Sequence, residues 1–379
     1  MIKPLEGLCV LEFCQYLSGP SAGLRLADLG ARVIKMERPD GGDAGRKLAI
    51  KNMWVGEDSL LFHTINRNKE SVTVDLNNAE DSIFIQQLIE KADVLIHNFR
   101  PGIMEKKGLG FDEVRAMNPR LVYAVVSGYG NEGPWVKKPG QDLLIQSMTG
   151  LAFTTGTSLQ SPVPFGIAVG DILCGAQLVQ GILAALIRRQ KTNIGGLVEI
   201  SLVESLVDFQ FELLTTYFAS GVVPERSQVM SGHSLLGAPY GVYATTDGYI
   251  ALAMMDIPSL SNALNIPSLL QYDAEQYFTK RDEIKKAIAQ VIATQSSASC
   301  LEKLLEAGLW AMEVLDWKKL RKEEAYQLIQ MEQSIHHHSG TITTTRCPIK
   351  IDGQIMTSQR PAPALGADLQ KLKEEVQYK

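Results

Sequence analysis

Leu8-Cys9-Val10-Leu11-Glu12-Phe13, then the turn Ser18-Gly19-Pro20, and, beyond a helically spaced segment 21–29 and Gly30, Ala31-Arg32-Val33-Ile34-Lys35-Met36-Glu37-Arg38-Pro39 together decide the fold. A short apolar run closed by Ser-Gly-Pro reads as a strand and its turn, and a second run stopped by Pro39 reads as another strand. Two strands joined through a helix lie parallel, and the crossover is right-handed, so the first forty residues predict a βαβ unit. The pattern recurs downstream, with strands near 71–76, 94–98 and 121–127 and helices near 79–91 and 112–117. Strands alternating with helices predict an α/β fold built on a doubly wound, Rossmann-like parallel sheet.

Working outward, residues 128–156 are rich in Gly and Pro and read as a long irregular excursion of the kind that carries sites. Asp171 then opens a long helix in which Ile172, Ala176, Val179, Leu183 and Ile187 fall on one face. Arg188, Arg189 and Lys191 close its last turn, where cations complement the helix dipole. A strand near 198–202 and an apolar helix over 203–218 follow, and 221–237 reads as a linker. Residues 240–255 alternate as a hairpin around Thr246-Asp247-Gly248, residues 273–308 are mostly helical, and the tail carries strand-like runs around Ile342 and Ile349. The expected division is a large domain over 1–220, a linker and small α+β domain over 221–325, and a return segment over 326–379 that packs on the large domain.

The chain has 379 residues, 45% hydrophobic and 21% charged, with 37 basic against 42 acidic side chains and a formal net charge of −5. That is an ordinary globular composition, and its length exceeds what a single core comfortably fills. No basic face marks it for nucleic acid or an anionic membrane. The N-terminus, Met1-Ile2-Lys3-Pro4-Leu5-Glu6-Gly7, has no apolar signal core, and no apolar run approaches the ~20 residues of a membrane span. A cytoplasmic protein is expected. Cys9, Cys14, Cys174, Cys300 and Cys347 are odd in number and scattered, which predicts free thiols and no metal knuckle.

Several side chains could carry chemistry. Glu37, at the end of the second strand, sits where a dinucleotide fold places its ribose-binding acid, but the first turn, Gln15-Tyr16-Leu17-Ser18-Gly19-Pro20-Ser21, is not G-x-G-x-x-G. Arg38 could face a nucleotide phosphate or adenine, or simply pair with Glu37. His336-His337-His338 cannot converge on one ion, because consecutive side chains point apart, so a solvated loop is expected. Trp54, Trp135, Trp310 and Trp317 default to core. Asp171, in Val169-Gly170-Asp171, is either an N-cap or an exposed, ionised nucleophile beside a glycine that leaves room for a ligand; spacing leaves both open. Asp142, in Gly140-Gln141-Asp142-Leu143, is a second candidate carboxylate.

The series Leu11-Glu12-Phe13, Ser18-Gly19-Pro20, Leu29-Gly30-Ala31-Arg32-Val33-Ile34-Lys35-Met36-Glu37-Arg38-Pro39, Gly42-Asp43, Asn66-Arg67-Asn68-Lys69-Glu70-Ser71, Asn98-Phe99-Arg100-Pro101-Gly102, Asn118-Pro119-Arg120-Leu121, Ser127-Gly128-Tyr129-Gly130, Gly170-Asp171 and Pro363-Ala364-Leu365-Gly366 resembles the type III CoA-transferases (CaiB/BaiF), the group that includes formyl-CoA transferase. The resemblance spans nearly the whole chain. It implies an enzyme that moves CoA from an acyl-CoA to a carboxylic acid, with Asp171 as the nucleophile that forms anhydride and aspartyl-CoA intermediates. CoA is then a substrate, and no metal or permanently bound cofactor is implied. The implied CoA contacts are Leu17, Ser18, Arg38, Val74, Asp75, Leu76, Asn77, Asn98, Phe99, Arg100, Lys106, Pro139, Gly140, Gln141 and Asp142. Lys106 stands for a relative's arginine. Leu17 replaces the formyl-CoA transferase glutamine, and no glycine-rich loop occurs near 237–241, which argues against oxalate. The resemblance also implies an interlocked homodimer. The α-methylacyl-CoA racemases share the fold, but Gln141 stands where they carry a proton-shuttling histidine; a non-catalytic CoA-binding protein is the further alternative.

Overall fold

A computed structural model describes residues 3–377; Met1 and Ile2 of the N-terminal stretch read above, and Tyr378 and Lys379, lie outside the described residues. The chain divides into two compact units, one of Met1–Ile145, Ala168–Leu206 and Ile329–Lys379, the other of Gln146–Ile167 and Val207–Leu328. This differs from the expected division, since residues 146–167 and 207–220 go with the second unit. The helix expected over 203–218 is two helices that part at Gln210, and a uniformly apolar run gives no compositional sign of that break.

The first unit is built on six parallel strands, β1 (Cys9–Phe13), β2 (Arg32–Glu37), β3 (Lys69–Thr73), β4 (Val94–His97), β5 (Val122–Ser127) and β6 (Gly196–Ser201), in the order β3-β2-β1-β4-β5-β6. Its helices are α1 (Ser18–Asp28), α2 (Leu60–Asn66), α3 (Ala79–Lys91), α4 (Phe111–Met117), α5 (Asp142–Met148, which runs on into the second unit), α6 (Val169–Thr192) and α7 (Leu202–Phe209). The chain order reverses between β1 and β4, and at such a switch point the carboxyl ends of the strands leave a crevice. Leu11 pairs with Ile34 and Leu95 in register, and these side chains form one core with Phe84, Ile85 and Ile89 of α3. The tail returns to this unit: Gly366 N donates to Ser71 Oγ at 2.9 Å, and Leu372 joins the same core.

The other face of β1 to β3 holds charge. Glu12 is fully buried and accepts from Lys35 Nζ at 3.0 Å and Lys69 Nζ at 2.7 Å, while Lys35 reaches Asp43 at 2.8 Å. Gly23 of α1 lies over this cluster, where a Cβ would stand 1.8 Å from Glu12 Oε2.

The second unit carries α8 (Phe211–Ser220), β7 (Gly241–Ala244), β8 (Tyr249–Leu252), α9 (Ile257–Leu264), α10 (Arg281–Ile292), α11 (Ser297–Glu306) and β9 (Ala311–Glu313). Its strands form an antiparallel sheet in the order β9-β8-β7 over a core of Tyr243, Ile250, Leu260, Ile284 and Ile288. The hairpin turn closes where expected, with Thr245 N donating to Gly248 O at 2.9 Å.

Other expectations need correction. The excursion 128–156 contains α5 and a short helix, Leu151–Thr154. In α6 the buried residues include Cys174, Gly175, Leu178, Val179, Ile182, Ala185 and Leu186, so Val179 of the expected core face is buried, whereas Ile172 and Ile187 of that face are 47% and 60% exposed. The helix is apolar on two sides, so periodicity alone did not choose between them. By length and composition α6 could cross a membrane, with mean hydropathy 1.6, against the expectation of no such run; here it packs on α1 and β6. His336 and His337 end a strand, β10 (Glu332–His337), paired with β11 (Gly340–Thr345), and only His338 lies in the turn. All four tryptophans are exposed, Trp317 at 85%.

Candidate active site

At the carboxyl ends of β1, β2 and β3, beside the switch point, a cleft of about 310 Å³ opens in the first unit. Phe13, Cys14 and Gln15 continue β1 into its wall, Met36, Glu37 and Arg38 continue β2, and Val74, Asp75, Leu76 and Asn77 follow β3. Phe99 and Lys107 come from the segment after β4. The cleft thus gathers six of the residues implied as CoA contacts: Arg38, Val74, Asp75, Leu76, Asn77 and Phe99.

Its charges sort by partner. Glu37 is buried and held by Arg46 at 2.7 and 2.8 Å, by Ser71 Oγ at 2.6 Å and by Asp43 N at 2.9 Å. Burial raises its carboxyl, but Arg46, Lys35 and Ser71 outweigh that and hold it below the usual range. It is therefore committed to the protein and does not serve a ribose. Asp43 is likewise neutralised by Lys35, and Asp75 closes its own turn by accepting from Asn77 N and Nδ2, both at 2.9 Å. Arg38 spends Nε on Gly42 O at 2.9 Å, not on Glu37, and Lys107 bonds Asn77 Oδ1. With its carboxylates satisfied, the wall presents two cations to an anionic ligand.

The remaining implied contacts lie elsewhere. Asn98 clasps the loop after β1, accepting from Gln15 N at 2.9 Å and donating to Gln15 O at 2.8 Å. Leu17 holds the N-cap position of α1. Arg100 and Lys106 are exposed and do not line the cleft. Lys107, which sequence reasoning missed, does: the short helix Ile103–Lys106 buries Met104, and the residue three positions on falls at the helix end. Pro139 O accepts from Tyr129 Oη at 3.1 Å; Gly140 abuts Gly128 so closely that a Cβ on either would lie 2.8 Å from the other's Cα; and Gln141 O receives the first amides of α5.

Asp171 is not an N-cap. Helix α6 begins two residues earlier, with Ala168 in the cap position and no side-chain cap of its own. Asp142 fills that role from outside, with Oδ1 accepting from Gly170 N at 2.7 Å and from Asp171 N at 3.3 Å. A Cβ on Gly170 would lie 2.8 Å from that oxygen, so the glycine is what admits it. Ser18, first residue of α1, is buried against the start of α6, where a Cβ on Gly175 would lie 2.7 Å from Ser18 O. Burial and then the neighbouring Asp142 charge push Asp171 up to about 6, against the pull of Ser18. Ser18 follows Gln15 of the cleft wall by three residues, so the raised carboxyl stands at the same end of the sheet as the cleft. Among the described residues no group of His, Cys, Asp and Glu is arranged to hold a metal ion.

A partly buried carboxylate of raised basicity beside a cleft that offers cations is suited to nucleophilic attack on an activated acyl group. The family model described as CoA-transferase family III matches residues 5–369. The acetyl-CoA:oxalate CoA-transferase of Acetobacter aceti is 31% identical, over 97% of this chain and 95% of that protein. The succinate–glutarate CoA-transferase of Agrobacterium fabrum is 30% identical, over 96% of this chain and 93% of that protein. Among solved structures, a CAIB/BAIF family protein from Brucella suis superposes with a TM-score of 0.86 at 28% identity, covering 99% of this chain and 100% of that one.

Proposed function

The chain belongs to CoA-transferase family III and is a CoA-transferase, and from that premise we propose that it moves CoA between an acyl-CoA donor and a carboxylic acid acceptor through covalent intermediates on Asp171. The observation that carries this reading is the placement of Asp171 in the first turn of α6, its amide held by Asp142, at the end of the sheet where the cleft opens. Asp171 attacks the donor thioester carbonyl, giving a mixed anhydride and CoA thiolate. The thiolate attacks the Asp171 carbonyl, forming an aspartyl-CoA thioester and releasing the donor acid. The acceptor carboxylate attacks that thioester to give a second anhydride, and the thiolate then takes the acceptor acyl group and frees the aspartate. Over the whole cycle one thioester is broken and one is formed, so a nucleophile suffices.

Arg38 and Lys107 supply the charge for CoA phosphates, and Phe99 an apolar face. A homodimer suits the uncovered apolar surface: α8 buries none of its residues, with Phe211 at 68% and Phe218 at 76% exposure, and α6 shows Ile172 and Ile187 to solvent. The five free thiols suit a reducing, cytoplasmic setting. The racemase alternative has nothing in its favour at Gln141, which cannot shuttle a proton.

The test is incubation with paired acyl-CoAs and carboxylic acids, followed by trapping with hydroxylamine and peptide mass analysis. Modification at Asp171 that is lost in Asp171→Ala supports the reading. Solvent deuterium entering the α-position of a 2-methylacyl-CoA without CoA transfer overturns it.

A further inference from the structure

We propose that Ser18 and Asp142 are positioning residues for Asp171 that act on it from opposite sides: the hydroxyl fixes the direction of its carboxylate, and the second carboxylate keeps it basic enough to attack a thioester. The inference rests on Asp171 being the nucleophile, and it gives Ser18 and Asp142 a role other than holding CoA.

Helix α1 crosses the start of α6 at Gly175, where a Cβ would stand 2.2 Å from Ser21 Oγ and 2.7 Å from Ser18 O. Only a glycine permits that approach, and it sets the first residue of α1 against the first turn of α6. Ser21 Oγ in turn donates to Ser18 O at 2.8 Å, tying down the turn that carries the hydroxyl. Ser18 is 5% exposed at this crossing, one helical turn from Asp171, and its hydroxyl pulls the Asp171 carboxyl down against burial. With one carboxylate oxygen held by a donor, the side chain stops rotating and the other oxygen keeps its lone pairs for the acyl carbon. Once Asp171 is acylated, the same hydroxyl can donate to its carbonyl as negative charge develops there.

Asp142 works in the other direction. Unoccupied amides at a helix N-terminus stabilise a nearby carboxylate and lower its basicity. Here the Gly170 and Asp171 amides are taken by Asp142 Oδ1, and Asp142 adds a like charge. No cation acts on Asp171 among the described residues. The other ionisable groups nearby are Cys174, one turn on, whose thiol burial pushes up to about 12, and Glu204 of α7, which acts on Cys174.

The full chain is compared as wild type, Ser18→Ala, Ser18→Thr and Asp142→Asn, each checked for a cooperative thermal melt. Two readouts are taken: the pH profile of kcat with KM for the acyl-CoA, and the titration of the Asp171 side-chain carboxyl by 13C NMR, assigned from its loss in Asp171→Asn. Ser18→Ala is expected to move the acid limb and the NMR midpoint up by about half a unit and lower kcat about tenfold with KM for acyl-CoA little changed, and Ser18→Thr to restore both. Asp142→Asn, which keeps the cap oxygen and removes the charge, is expected to move both midpoints down by about one unit and lower kcat. Unmoved midpoints with a raised KM overturn the proposal and make both residues CoA contacts. If no acyl-CoA and acid pair is turned over, the transferase reading fails by itself, and the NMR midpoints still decide whether Ser18 and Asp142 tune Asp171.

Discussion

The raised Asp171 carboxyl costs the folded chain stability. Its carboxyl ionises near 3.8 in an unfolded chain but near 6 in the folded one, so between those values the folded state holds a proton the unfolded state has lost, and stability falls as pH rises through that window. Asp171→Asn removes the penalty. It should be more stable than wild type by on the order of 2 kcal/mol above pH 7, read as a higher Tm, and no more stable below pH 4, while transferring no CoA. A second residue-scale prediction separates neighbours: Lys107→Ala should raise KM for acyl-CoA about tenfold, and Lys106→Ala should change it less than twofold, measured in paired steady-state assays. The family resemblance named Asp171 from a motif and Lys106 as the counterpart of a relative's arginine, whereas the lysine that lines the cleft is Lys107, and nothing in a lysine pair says which member turns inward.

At the scale of elements, the pairing of β1 with β2 and β4 follows from short apolar runs, but the surface between β1, β2 and β3 and α1 does not. Glu12, Lys35 and Lys69 occupy positions that alternation assigns to core, and they stay there because each charge meets another at 2.7 to 3.0 Å. Removing one partner leaves two ammonium groups buried. Glu12→Gln should therefore cost about 3–5 kcal/mol in urea unfolding, far more than an exposed pair such as Lys280 with Glu283 contributes. The crossing of α1 and α6 gives a second check. Gly175→Ala meets backbone at 2.7 Å and must push the helices apart, so it should lower kcat by at least about tenfold through the displaced Ser18 while the chain still melts cooperatively.

For the whole molecule, two apolar surfaces stand open, α8 in one unit and the Ile172 and Ile187 stripe of α6 in the other. Isolated exposed apolar side chains need no explanation, but an entire helix with none of its residues buried does. We expect sedimentation equilibrium to give twice the 41.6 kDa chain mass, and Phe218→Glu to shift the protein toward monomer.

The sequence by itself determined the parallel sheet, the alternation with α3 and α4, the hairpin in the second unit and the family motifs around Gly170-Asp171, because each is local: a period, a turn or a fixed spacing suffices. Only the tertiary structure decided which side of α6 is buried, since the helix is apolar on two sides and the glycine crossing with α1 settles it. The same holds for the cap of α6, which comes from Asp142, a residue 28 positions upstream of the amide it binds. Charge pairing across β1, β2 and β3, the commitment of Glu37 to Arg46 and the meeting of Asp142 with the Asp171 amide all depend on groups distant in sequence being brought within hydrogen-bond reach, and no local pattern encodes that.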